Sequence, residues 1–176
     1  HIMPKRMFLL DAYALIYRAY YAFIRNPIYN SRGLNTSAIL GFTNTLVEVL
    51  EKQNPSHIAI VFDPSKPTFR NTIYPEYKAN REQMPEDIQR SIPYIMQIVH
   101  AFNIPVIQQE NYEADDVIGT LAHQAKQEGF QTYMMSADKD YGQLLEKDIF
   151  LYKPKRSGSE AEIGRASCRE RVSFTV

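Results

Sequence analysis

The 176-residue chain has a single cysteine, Cys168, and no tryptophan. One thiol cannot form an internal disulfide, which excludes a small secreted scaffold held by cross-links. Histidine is scarce as well. His1, His57, His100 and His123 are scattered without ligand spacing, which argues against a Cys/His zinc site. No apolar run is long enough for a membrane span. The first, residues 7–10, follows Lys5 and Arg6 but stops at Asp11, too soon for the apolar core of a signal peptide. Internal repeats are missing. So is net charge: 20 Lys+Arg balance 20 Asp+Glu, which by itself argues against a protein that grips a polyanion through bulk charge. These absences lead to the expectation of a cytoplasmic globular protein with no membrane contact.

Five short apolar runs stand against these absences. Residues 7–10, 58–62, 104–107, 132–135 and, more weakly, 149–152 are largely unbroken rather than alternating. Strands buried on both faces of a parallel sheet have that character. Amphipathic segments lie between them. Thr36 is placed to cap a helix carrying Ile39, Leu40, Phe42, Leu46, Val47 and Leu50. Pro85 suits the first turn of a second, with Ile88, Ile92, Ile95, Met96 and Val99 on one side. A third carries Ala114, Val117, Ile118, Leu121, Ala122 and Ala125 and stops before Gly129. This alternation predicts an α/β fold: an open, mostly parallel twisted sheet of about five strands with helices on both faces.

Two stretches stand outside the alternation. Residues 64–85 are long, polar and basic, with Pro64, Pro67, Pro75 and Pro85; connections of that length are usually functional or disordered. From Ile163 the chain reads Ile-Gly-Arg-Ala-Ser-Cys-Arg-Glu-Arg-Val, with neither periodicity nor capping residues. The expected organisation is one domain over residues 3–162 and an unrelated tail over 163–176. That tail reads as an artefactual translation and is set aside as one sets aside a fusion scar.

In an open parallel sheet, ligands bind beyond the carboxyl ends of the strands. The residues there are acidic: Asp11 after the first run, Asp63 after the second, Asp138 and Asp140 after the fourth. Glu113, Asp115 and Asp116 open the helix that follows the third. One acid in a helix's first turn is favoured by the macrodipole by roughly 0.3–1 kcal/mol. Three within four residues repel one another and oppose ionisation. Asp63, before Pro64, reads on its own as a turn former or helix cap. Seven carboxylates aimed at one rim need a compensating cation, and oxygen-only donors select hard ions such as Mg²⁺ or Mn²⁺. Two such ions roughly 4 Å apart are a standard device for in-line displacement at phosphorus.

The irregular stretch supplies the opposite charge. Lys66, Arg70, Lys78 and Arg81 are interleaved with Phe69, Tyr74 and Tyr77. A helical turn would put Lys78 and Arg81 on one face with Tyr77 beside it. Basic groups neutralise phosphates and aromatic rings stack on unpaired bases, which suits a single-stranded or frayed end. A solvated basic loop is the structural alternative. Arg18, among Tyr17, Tyr20 and Tyr21, reads either as a phosphate ligand or as a helix-surface charge.

Taken together, these motifs resemble a known family. Leu9-Leu10-Asp11 with Tyr17-Arg18-Ala19-Tyr20-Tyr21-Ala22-Phe23 and Gly41-Phe42 is similar to the start of the 5′-nuclease domain of bacterial DNA polymerase I. Phe62-Asp63, Thr68-Phe69-Arg70 and Tyr77-Lys78-Ala79-Asn80-Arg81 continue it in order. So do Tyr112-Glu113-Ala114-Asp115-Asp116-Val117-Ile118 and Asp138-Lys139-Asp140 with Gln143-Leu144. The resemblance implies a structure-specific nuclease of the flap endonuclease superfamily, with a PIN-like core and two divalent ions. It assigns Asp11, Asp63, Glu113, Asp115, Asp116, Asp138 and Asp140 to the metal-binding acids. It assigns Arg70, Tyr77, Lys78 and Arg81 to the arch that grips the 5′ end, and Arg18 to a position near the substrate phosphate. Two residues depart from the pattern: Ala12 stands where Gly is frequent, and Tyr141 where Leu is usual. The resemblance fades at Ile163, before the family's helix–three-turn–helix DNA-binding element and its final pair of aspartates. The chain therefore reads as a truncated nuclease domain, expected to be monomeric, whose full-length form carries a polymerase region.

The expected activity is hydrolysis of phosphodiesters at DNA 5′ ends, flaps or RNA–DNA primer junctions, with Lys78 and Arg81 offsetting charge on the phosphoryl oxygens. An alternative is a non-catalytic DNA-binding fragment, because the last aspartates are missing. A metal-dependent phosphatase or response-regulator receiver also sets aspartates at strand ends, but explains neither Glu113 nor the basic stretch. The balanced charge fits the nuclease reading on closer inspection. Without residues 163–176 the chain has 17 basic against 19 acidic residues; with seven acids neutralised by metal, 12 acidic residues face the 17.

Overall fold

The computed structural model describes residues 3–65, 83–136, 139–154 and 162–164. Each apolar run forms a strand. They are β1 (Arg6–Asp11), β2 (His57–Phe62), β3 (Val106–Gln108), β4 (Gln131–Met135) and β5 (Ile149–Lys153), joined by a short β6 (Glu162–Gly164). Their spatial order is β3-β2-β1-β4-β5-β6. All neighbouring pairs run parallel except β5 and β6, which are antiparallel with Tyr152 opposite Ile163. The sheet thus has six strands where about five are expected. The division drawn at residue 162 falls inside β6.

Among the described residues, four α-helices flank the sheet: α1 (Ala12–Ala22), α2 (Ser37–Glu48), α3 (Glu86–Ala101) and α4 (Ala114–Gln127). Successive side chains of a strand face opposite sides, and β1 divides its apolar residues accordingly. Phe8 and Leu10 meet Ile16 of α1, Phe42 and Leu46 of α2 and Ile88 and Ile95 of α3. Leu9 meets Ala114, Ile118 and Ala122 of α4 on the other side, with Val61 and Met134. Burying each of the larger side chains contributes about 1.5–3 kcal/mol, so the central strand is held from both faces. Aromatic residues reinforce the first side. Phe8 stacks on Tyr133 at 4.8 Å, and Tyr133 on Phe150 at 4.9 Å, a ladder across β1, β4 and β5. The Arg6 guanidinium lies 5.0 Å from the Tyr133 ring centre.

Three local expectations are corrected. Thr36 occupies the N-cap position of α2 as expected, but its side chain makes no capping bond; its hydroxyl donates to the Ile28 carbonyl at 3.1 Å, tying back the preceding loop. Pro85 stands just before α3 rather than in its first turn. β3 starts two residues later than the run 104–107 and ends one later, because Pro105 has no N–H to give a ladder; the Pro105 carbonyl instead accepts from Ile60 N at 3.0 Å. The helix α1 hides among aromatics in the sequence and follows β1 without a loop. It lies so close to α2 that a Cβ on Gly41 would sit 2.7 Å from that of Ala19. No helix among the described residues is long and apolar enough to cross a membrane.

Candidate metal centre

The parallel register brings the ends of β1 and β2 side by side, with Asp11 opposite Val61 and Asp63 two residues beyond. Both aspartates are therefore delivered to one edge by the sheet itself. Asp11 closes β1 and also caps α1, accepting from Ala14 N at 3.3 Å. Its other oxygen, Oδ2, accepts from the Tyr141 hydroxyl at 2.9 Å and from Ser136 Oγ at 3.4 Å. Only 7% of Asp11 is exposed. Burial, opposed by these hydrogen bonds and reinforced by the charge of Asp63, pushes its pKa up from 3.8 to about 6. Tyr141, 1% exposed, is driven far above the ordinary phenol value by burial and then by Asp11, with Asp115 and Asp63 adding to the effect.

Asp63 belongs to two elements at once. Its Oδ1 accepts from Ala114 N at 2.8 Å, satisfying one of the amides that open α4 without an intrahelical partner. Its backbone carbonyl accepts from Gln108 Nε2 at 2.7 Å at the end of β3. The head of α4 is thereby fastened to the edge of the sheet. There Glu113, Asp115 and Asp116 each present a carboxylate oxygen within 4.8 Å of the others. Glu113 is buried, Asp116 is partly buried and Asp115 is exposed. Asp115 Oδ1 also accepts from Asp116 N at 2.9 Å, which orients it. A cavity of about 510 Å³ opens beside them, bounded by Asp115, Asp116, His123, Tyr141 and Gln143.

This donor set fits a hard divalent cation. It consists of oxygens from three carboxylates already gathered, beside a fourth, Asp11, whose ionisation burial opposes. Of the seven acids expected from the sequence, the structure gathers Glu113, Asp115 and Asp116 and sets Asp11 and Asp63 on the neighbouring strand ends. Asp140 lies in a 3₁₀ turn (Lys139–Leu144) whose first two side chains are outside the described residues, as is Asp138. Arg70, Tyr77, Lys78 and Arg81 also fall outside them. Arg18 is described, and its guanidinium donates to the Pro154 carbonyl at 3.2 Å. Sequence reasoning overlooked the two hydroxyls on Asp11. Tyr141 was visible as an aromatic departing from the family pattern, whereas Ser136 carries no distinguishing signal.

The open, mostly parallel sheet with acids gathered beyond its carboxyl edge is the PIN-like α/β fold expected from the sequence. The chain belongs to the family of the 5′-3′ exonuclease, N-terminal resolvase-like domain, which matches residues 6–173. DNA polymerase I of Bacillus caldotenax is 37% identical over 160 residues, 91% of this chain and 18% of the relative. That of Synechocystis is 42% identical over 163 residues, 90% of this chain and 16% of the relative. The chain spans less than a fifth of the length of these relatives. Among solved structures, T5 5′-exonuclease with divalent zinc ions bound matches with a TM-score of 0.67 and 17% identity, over 90% of this chain and 58% of that one. The catalytic core of Rad2 in complex with DNA substrate gives 0.52 and 19%, over 94% and 48%. At such identities these two likenesses establish the fold.

Proposed function

We propose that this chain is the metal-holding part of a 5′-nuclease that hydrolyses phosphodiesters at DNA 5′ ends, flaps or RNA–DNA primer junctions. The observation that carries this reading is the gathering of Glu113, Asp115 and Asp116 within 4.8 Å at the head of α4. These three, with Asp11 and Asp63 and then Asp138 and Asp140, are the proposed holders of Mg²⁺ or Mn²⁺, two ions in the complete enzyme. Bound there, such ions supply a hydroxide at neutral pH and offset charge on the leaving oxygen. The protein's own part is placement: Asp63 fastens the helix head that carries the acids, and Asp115 Oδ1 is oriented by the amide of Asp116. Lys78 and Arg81 are proposed to offset charge on the phosphoryl oxygens, and Arg18, Arg70 and Tyr77 to hold the strand. The full-length protein is proposed to be a cytoplasmic, monomeric enzyme carrying a polymerase region, in keeping with its relatives' name.

The test is cleavage of a labelled 5′-flap duplex with Mg²⁺. Cutting that EDTA abolishes and that Asp115→Ala reduces at least 100-fold supports the proposal. Equal cutting by the wild type and Asp115→Ala refutes it. Tight flap binding with metal bound and no turnover returns the chain to the role of a DNA-binding fragment.

A further inference from the structure

Tyr141 is a fully buried polar side chain beside the acids, and its hydroxyl has one described acceptor, Asp11 Oδ2 at 2.9 Å. A carboxylate offers about four acceptor sites in all, two on each oxygen. On Asp11, the Tyr141 and Ser136 hydroxyls address Oδ2 and Ala14 N addresses Oδ1. The three contacts are unequal: at 3.4 and 3.3 Å the Ser136 and Ala14 bonds lie at the weak end of the range, and the Tyr141 bond lies near its optimum. The carboxylate's rotation is therefore set chiefly by Tyr141.

The phenol is itself immobile. Its ring lies in the cluster beneath α4 with Leu9, Ile118 and Met134, so the hydroxyl cannot swing away without opening the core. It sits in the 3₁₀ turn Lys139–Leu144, while Asp11 ends β1, 130 residues away in sequence. The bond spans from the turn after β4 to the end of β1, the strand beside it.

We propose that Tyr141 is a positioning residue: its hydroxyl holds Asp11 so that Oδ1 faces outward as the single metal-binding oxygen. This rests on the metal-nuclease reading above and deepens it. Partners of ligands at metal sites commonly change metal affinity by about 10–100-fold when removed, and that range sets the expected effect.

The experiment is calorimetric titration of Mn²⁺ into the full chain, comparing wild type, Tyr141→Phe, Asp11→Asn and the double variant. Thermal unfolding in EDTA confirms that each is folded. Tyr141→Phe is expected to weaken Mn²⁺ binding at least 10-fold while unfolding cooperatively. In the Asp11→Asn background the same change is expected to add less than 3-fold, because its route to the metal is gone. Tyr141→Leu, which also removes the hydroxyl, serves as the second variant should the phenylalanine form not fold. Equal affinities for wild type and variant overturn the inference and leave the metal reading standing. So does an undiminished loss in the Asp11→Asn background, which would mean that Tyr141 acts through the fold and not through Asp11. A wild-type chain that binds no Mn²⁺ overturns both.

Discussion

Replacing Asp11 by Asn is expected to stabilise the metal-free protein at neutral pH while weakening its hold on metal. The carboxyl group is buried and its pKa is raised from 3.8 to about 6, chiefly by desolvation. The folded state therefore binds the Asp11 proton more tightly than the unfolded chain does. Between pH 4 and 6 the native protein holds more protons, so stability falls as pH rises through that window and stays reduced above it. A shift of about two units, at roughly 1.4 kcal/mol each, corresponds to about 3 kcal/mol at pH 7.5. An asparagine keeps the contacts. Its carbonyl can accept from Ala14 N, and its amide can donate to the Tyr141 and Ser136 hydroxyls, which rotate to accept. Asp11→Asn should thus gain up to about 3 kcal/mol in EDTA at pH 7.5, or about 6–12 °C at 2–4 °C per kcal/mol for a domain of this size. The gain should shrink toward zero at pH 4. Urea unfolding in EDTA at pH 4, 6 and 7.5 measures it. With saturating Mn²⁺ the ranking should reverse, because ligand binding stabilises the wild type more. An Asp11→Asn chain less stable than wild type in EDTA at pH 7.5 would refute the claim that desolvation dominates the energetics of this carboxylate.

Three further substitutions probe the frame around the site. Gly41→Ala places a methyl 2.7 Å from Ala19 Cβ, so forcing α1 and α2 apart should cost about 1–3 kcal/mol by urea unfolding. Thr132 is fully buried and its hydroxyl has no partner among the described residues; Thr132→Val should raise stability by about 1–3 kcal/mol, the desolvation cost of an unpaired hydroxyl. Asp63→Ala removes the acceptor for Ala114 N and should cost about 0.5–2 kcal/mol, with faster amide exchange in the first turn of α4. Asp63→Asn keeps that acceptor and should restore the exchange protection but not the metal affinity.

Much of the fold was legible along the chain. Runs such as residues 58–62 are unbroken because a strand covered by helices on both faces has no polar side to show, and that pattern survives without any knowledge of neighbours. The amphipathic faces of α2, α3 and α4 were legible for the same local reason. β6 was not, because three residues against an exposed edge carry no periodicity. The helix α1 was masked by its tyrosines. Thr36 shows the limit of local chemistry: a residue suited to capping was drawn to a carbonyl eight positions back.

By itself, the sequence determined that acids would follow the apolar runs and open a helix, since strand ends and helix starts are local facts. The family resemblance added that these acids belong together. Only the tertiary structure decided which carboxylates meet within 4.8 Å, that Asp63, just past β2, caps a helix 51 residues further on, and that Asp11 is buried under the hydroxyls of Ser136 and Tyr141. Those contacts depend on β4 lying beside β1 and on the crossover that lays α4 over the opposite face from α1. The physical reason is range. Periodicity and capping act over a turn or a strand, whereas desolvation and hydrogen bonding at the site act through space between segments that only the assembled sheet brings together.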